Sequence, residues 1–201
     1  MTEPVHPPED KAPSRLKPED LAPLRQKTIV LVGLMGVGKS SVGRRLAAAL
    51  DLPFRDADNE VEAAAGRSIS EIFAELGEAA FRDGERRVIA RLLEDPPHVL
   101  ATGGGAFVNP ETRALINDKA LSVWLKADVE LLARRVSRKD NRPLLKGKDP
   151  VAVLTELAKA RNPAYAEAQV HVQTGDTPHG VAVDAILTAL RERLGQGDAN
   201  P

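Results

Sequence analysis

The residues with the clearest chemical spacing are Gly33-Leu34-Met35-Gly36-Val37-Gly38-Lys39-Ser40, which fit the pattern G-x-x-x-x-G-K-[ST] of a phosphate-binding loop. Glycines let such a loop curl until successive backbone N–H groups converge on phosphate oxygens. A helix starting near Gly38 adds its dipole and its unpaired amides. Lys39 is placed to reach the β and γ phosphates, and the Ser40 hydroxyl to ligate Mg²⁺. Gly36, Val37, Gly38, Lys39, Ser40 and Ser41 are therefore the expected ATP contacts, with the Met35 and Val37 side chains shaping the loop.

Further groups are candidates for the phosphoryl acceptor's site. Asp56 and Asp58 are two residues apart, so an extended backbone sets both carboxylates on one side. One can hold a water of the Mg²⁺ shell and the other accept from a substrate hydroxyl; a plain helix cap is the competing account. Arg82, in Phe81-Arg82-Asp83-Gly84-Glu85, is either a surface charge or an anion clamp. Thr102 precedes Gly103, Gly104 and Gly105; three glycines in a row are entropically costly and suggest a ligand pressed against backbone. Arg142, in Asn141-Arg142-Pro143-Leu144-Leu145, follows Arg134, Arg135, Arg138 and Lys139. This run is a solvated helix end, or a lid whose arginine closes over the phosphates and excludes water. Arg161, before Asn162-Pro163, is another arginine near a break.

These groups need a scaffold. Thr28 to Val32 is an apolar, β-branched run ending at Gly33, the pattern of a buried parallel strand. Val42, Leu46 and Leu50 recur at spacings of four and predict a helix over 40–50. Short strands are expected at 53–56, 98–101, 121–125 and 170–172. Helices are expected over most of 67–93, from about 128, and over 181–194. Strands alternating with helices imply crossover units and a parallel sheet, whose ligands bind beyond the strands' carboxyl ends. Residues 1–26 hold six of the chain's 15 prolines and little apolar periodicity, as expected of a disordered or loosely docked tail. Residues 196–201 look frayed.

Together these residues resemble the shikimate kinase family over about residues 28–190. The resemblance is carried by residues 33–40, Asp56-Ala57-Asp58, Phe81-Arg82, Thr102 to Gly105, Arg142-Pro143-Leu144-Leu145 and Arg161-Asn162-Pro163-Ala164-Tyr165. It implies an α/β, three-layer P-loop fold of the nucleoside monophosphate kinase type in one domain, 27–195. That fold has a five-stranded parallel sheet, a substrate-binding helical segment at about 57–93 and a mobile lid at about 138–148. It also implies transfer of a phosphoryl group from ATP to the shikimate 3-hydroxyl, on the route to chorismate and the aromatic amino acids. By resemblance Ser40 ligates Mg²⁺, with Asp56 supporting it through water. Asp58 binds shikimate hydroxyls and is the candidate base. Arg82 and Arg161 clamp the carboxylate, Gly103, Gly104 and Gly105 give backbone contacts, and Arg142 reaches the phosphates. Lys39, Asp58 and Arg142 are the catalytic set. Some relatives carry an arginine in the last strand–helix loop; here 174–180 has none, leaving adenine to that loop's backbone and to Arg135 or Arg138.

Composition narrows the alternatives. A formal charge of −1 and six aromatics (four Phe, one Trp, one Tyr) argue against a general nucleic-acid binder. No cysteine removes disulfides, thiolate catalysis and Cys-based metal sites. No apolar run approaches the roughly 18 residues of a membrane span, and no signal core opens the chain, so a cytoplasmic protein is expected. A monomer is expected as well, although nothing in the sequence decides the oligomeric state. A gluconate or nucleotide kinase would share the P-loop but not the set of Asp58, Arg82, Gly104 and Arg161; a non-catalytic nucleotide-binding module is the remaining alternative. The four histidines, His6, His98, His171 and His179, are scattered and expected to be non-catalytic.

Overall fold

Ile29-Val30-Leu31-Val32 contains no polar side chain. In the computed structural model, which describes residues 21–137 and 149–197, it forms β1 in the middle of the sheet, with all four residues wholly buried. Four further strands join it: β2 (Phe54–Asp56), β3 (Val99–Ala101), β4 (Leu121–Lys126) and β5 (Val170–Gln173), in the order β2-β3-β1-β4-β5. Every pairing is parallel, with Ile29 opposite both Val99 and Leu121, Phe54 opposite Val99, and Val123 opposite Val170. Helices covering both faces account for the apolar character of the central strands. The edge strand β5 instead alternates buried and exposed residues.

The helices are α1 (Lys39–Leu50), α2 (Ala57–Ala65), α3 (Ile69–Leu92), α4 (Pro110–Lys119), α5 (Val129–Val136), α6 (Pro150–Tyr165) and α7 (His179–Gly197). The expected four-residue stripe of α1, Val42, Leu46 and Leu50, is buried against the sheet. Helix α3 opens with a capping box in which Ser68 and Glu71 bond reciprocally, the arrangement that satisfies two orphan amides. Gly77 interrupts α3 at φ 82° and ψ 173°, a kink that the apolar periodicity does not show. Helix α4 has no counterpart among the expected elements, because its apolar face is short; its signal is Asn109 capping Thr112 N at 3.0 Å with Pro110 as first residue, a strong local start.

The expected tail boundary at residue 26 shifts inward. Residues 24–26 form a 3₁₀ turn whose Leu24 is wholly buried in the core, with the neighbouring Leu21 packed against the same core. Residues 1–20, the expected lid at 138–148 with Arg138, Lys139 and Arg142, and residues 198–201 lie outside the described residues.

Candidate active site

The carboxyl ends of β1, β3 and β2, adjacent in the sheet, each deliver one part of the site. Beyond β1 the loop turns at Gly36 and Gly38, at φ 83° and 97°, values that a side chain would strain. Helix α1 begins at Lys39. The Lys39 side chain is buried and folds back so that Nζ donates to the Gly33 and Leu34 carbonyls at 2.7 and 3.0 Å. The ammonium is thereby held over the loop whose amides would cradle phosphates.

Beyond β2, Asp56 has two tasks. Its Oδ2 accepts from Ser40 Oγ at 2.6 Å, and its Oδ1 accepts from Asp58 N at 3.2 Å, capping α2. The cap account of this carboxylate is realised through Oδ1, while Oδ2 ties it to the phosphate loop. Asp58, in the first turn of α2, is half-buried. Burial, reinforced by the Asp56 charge, pushes its carboxyl above the usual carboxylate range despite the opposing pull of Lys39 and Arg82.

Beyond β3, Thr102 Oγ1 donates to Leu31 O at 3.0 Å and the three glycines follow. A Cβ on Gly103 would lie 2.6 Å from Glu85 Oε1 and 2.9 Å from Asp58 Oδ1; one on Gly105 would lie 2.6 to 2.7 Å from the Arg82 guanidinium. At Gly104 the carbonyl accepts from Arg161 Nη1 at 3.1 Å and from the Tyr165 hydroxyl. The glycine run therefore packs against the very side chains expected to bind an acceptor. Both arginines from distant helices, Arg82 on α3 and Arg161 on α6, reach this one loop.

Glu85 and Tyr165 also belong here, although neither carries an expected role. Glu85 Oε2 accepts from Arg82 Nη1 at 2.7 Å, while Oε1 is buried with no hydrogen-bond partner among the described residues. Burial raises the Glu85 carboxyl, outweighing Arg82. Their sequence signal was helical spacing: Glu85 is three residues after Arg82 and Tyr165 four after Arg161, so each pair shares a face.

A cavity of about 400 Å³ runs between the loop and these strand ends, walled by Lys39, Ser40, Asp56, Asp58 and Gly104, and at its outer end by Arg135 and His179. Arg135 Nη2 donates to Gly175 O at 2.7 Å, linking α5 to the last strand–helix loop. Among the other histidines, His98 is buried with Nδ1 beside Pro96 O and His171 stands edge-on to Trp124. A larger cavity, about 770 Å³, lies between α2 and α3. Its walls are apolar, and its fringing Arg67, Arg87 and Arg91 are ion-paired to Glu75, Asp83 and Glu60, so it offers nothing for phosphoryl transfer.

The Ser40 and Asp56 oxygens suit Mg²⁺, a hard cation that takes one or two protein oxygens and completes its shell with phosphate and water. No group of three or more histidine, cysteine, aspartate or glutamate side chains that could hold a metal ion occurs among the described residues.

Comparison with known proteins converges on one family. A shikimate kinase family model matches residues 35–191. A shikimate kinase of Caulobacter vibrioides is 88% identical over 174 residues, 87% of this chain and 87% of that protein. The solved structure of shikimate kinase from Acinetobacter baumannii in complex with shikimate superposes with a TM-score of 0.78 at 34% identity, covering 90% of this chain and 99% of that one. A gluconokinase from Sinorhizobium meliloti, at 22% identity and a TM-score of 0.53 over 86% of this chain and 98% of its own, shares the fold alone.

Proposed function

The chain belongs to the shikimate kinase family, and from that premise we propose that it transfers the γ-phosphoryl group of ATP to the 3-hydroxyl of shikimate. The observation that carries the reading is the glycine run at 103–105, against which Asp58, Arg82 and Arg161 all pack across from Lys39. A planar guanidinium pair suits a carboxylate, and a carboxylate suits a diol. Shikimate carries both groups; gluconate lacks the rigid ring that would hold them a fixed distance apart.

In this reading the loop amides of 36–41 and Lys39 hold the triphosphate. Arg82 and Arg161 fix the shikimate carboxylate, and the Gly103 to Gly105 backbone meets the ring. Asp58 orients the 3-hydroxyl and takes its proton as the oxygen bonds to the γ-phosphorus and the bond to the β–γ bridging oxygen breaks, leaving ADP. Burial helps Asp58 here, because a carboxylate of raised basicity accepts a proton more readily. Ser40, with Asp56 through water, would hold Mg²⁺, which neutralises phosphate charge in such transfers. Arg142, outside the described residues, is assigned to the phosphates by resemblance. The reading includes a cytoplasmic monomer; no helix among the described residues is long and apolar enough to cross a membrane.

The test is ADP release from Mg-ATP with shikimate, gluconate or a nucleoside monophosphate as acceptor. Shikimate should give the highest kcat/KM, and Lys39→Ala should nearly abolish it. A better rate with either other acceptor, or turnover that survives Lys39→Ala, would overturn the assignment.

A further inference from the structure

His179 is the first residue of α7 and the one histidine among the described residues on the wall of the 400 Å³ cavity. Its Cε1 lies 3.7 Å from where a Cβ on Gly38 would sit, so the imidazole stands beside the phosphate-binding turn. The groups around it come from three elements. Arg45, on α1, donates through Nη1 to Ser41 O at 2.9 Å, and Arg135, on α5, donates to Gly175 O at 2.7 Å. Lys39, Asp56 and Asp58 line the same cavity. Partial burial, then the Arg45 and Arg135 charges, hold the imidazole below its ordinary range. A helix amino terminus disfavours a cation in the same sense. In the free protein the ring is therefore mostly neutral near neutral pH.

We propose that His179 is part of the nucleotide site and that its protonation tightens the binding of the nucleotide's phosphates. This inference rests on the ATP-dependent reading above and adds a residue that the loop pattern does not contain. The cause is electrostatic. A bound polyphosphate brings several negative charges next to a ring now flanked by two guanidiniums, so the protonated form that these destabilise becomes favourable. Binding then takes up a proton. By linkage, a group whose pKa rises on binding makes the ligand bind more tightly as pH falls; each unit of that rise corresponds to about tenfold in affinity across the titration.

The experiment is calorimetric titration of the full chain with Mg-ADP between about pH 5.5 and pH 8, the span of imidazole titration, for wild type, His179→Gln and His179→Arg. The nucleotide's own phosphate titration is common to all three proteins, so the differences report on residue 179. Wild type should gain affinity over His179→Gln as pH falls, by about tenfold for each unit of pKa rise. His179→Arg should bind more tightly than His179→Gln at every pH, by a constant factor. KM for shikimate should not change. The NMR titration of the His179 ring in wild type should shift upward on adding Mg-ADP. Parallel pH profiles for wild type and His179→Gln, or an unmoved His179 titration, would overturn the proposal. Failure of wild type to bind Mg-ADP at any pH would instead overturn the kinase reading beneath it.

Discussion

Ser40 Oγ donates to Asp56 Oδ2 at 2.6 Å, joining the first turn of α1 to the end of β2. The same carboxylate caps α2 through Asp58 N. One side chain thus spaces the phosphate loop from the helix that carries the proposed base. Asp56→Ala should remove a cap, at a stability cost of about 1 kcal/mol, and raise the Mg²⁺ concentration needed for half-maximal rate. Asp56→Asn keeps an oxygen for the cap but loses the charge, so its melting temperature should stay near wild type while the Mg²⁺ requirement rises. Kinetics across a Mg²⁺ series, beside thermal melts, separate the two roles. An unchanged Mg²⁺ requirement in both variants would detach Asp56 from the metal.

Gly105 owes its identity to Arg82, whose guanidinium atoms lie 2.6 to 2.7 Å from a Cβ built there. Gly105→Ala must therefore push the guanidinium aside. Its partner Glu85 is buried and cannot easily follow. KM for shikimate should rise by about tenfold or more, on the scale of a weakened charge-assisted hydrogen bond, with KM for ATP held. Gly84→Ala is the control, since nothing lies within 4 Å of its added methyl. Equal rises in both KM values for Gly105→Ala would mean that the loop distorts as a whole.

Asp58 is raised by burial and by Asp56, and it meets both Gly103 and the Lys39 side of the cavity. Asp58→Asn preserves shape but cannot take a proton. It should lower kcat by about 10²- to 10⁴-fold, the usual worth of a positioned general base, while Mg-ADP still binds. Rapid-quench turnover together with calorimetric ADP titration would check both halves. Retention of kcat within twofold would leave Asp58 as a hydroxyl-binding group only.

Much of this was legible in the chain because the signals are local. The apolar β-branched run before Gly33, the four-residue stripe of α1 and the glycine run after β3 each declare an element and the strand end where it delivers chemistry. The strands begin one residue later than expected, at Ile29, Phe54 and Val99, because the ladder pairs start there and leave Thr28, Pro53 and His98 outside them. What stayed hidden depends on partners distant in sequence. Helix α4 has a strong cap but little apolar face. Glu85 is an unremarkable charge until Arg82 and Gly103 enclose it. His179 looks scattered along the chain and gains meaning only when α7 starts beside Gly38. Each became visible through a contact between separate elements, which periodicity along one element does not encode.

The enclosure of Glu85 also makes a prediction in which stability and function part. Burial raises its carboxyl above the ordinary range and Asp58 adds to this, against the pull of Arg82 and Arg161. A folded-state pKa above the unfolded one means that this group favours the fold below the unfolded value and loses that contribution as pH rises through the folded value. Wherever it is ionised, Glu85 is therefore a net liability to the fold, offset by its hold on Arg82 at 2.7 Å. Glu85→Gln stays neutral at every pH. Its melting temperature relative to wild type should climb as pH rises above the ordinary carboxylate range, while KM for shikimate rises because an amide holds the guanidinium less firmly than a carboxylate. KM for ATP should not move. Melts at several pH values with paired KM measurements decide it: a melting-temperature difference that is flat in pH removes the titration argument, and an unchanged shikimate KM removes Glu85 as the residue that positions Arg82.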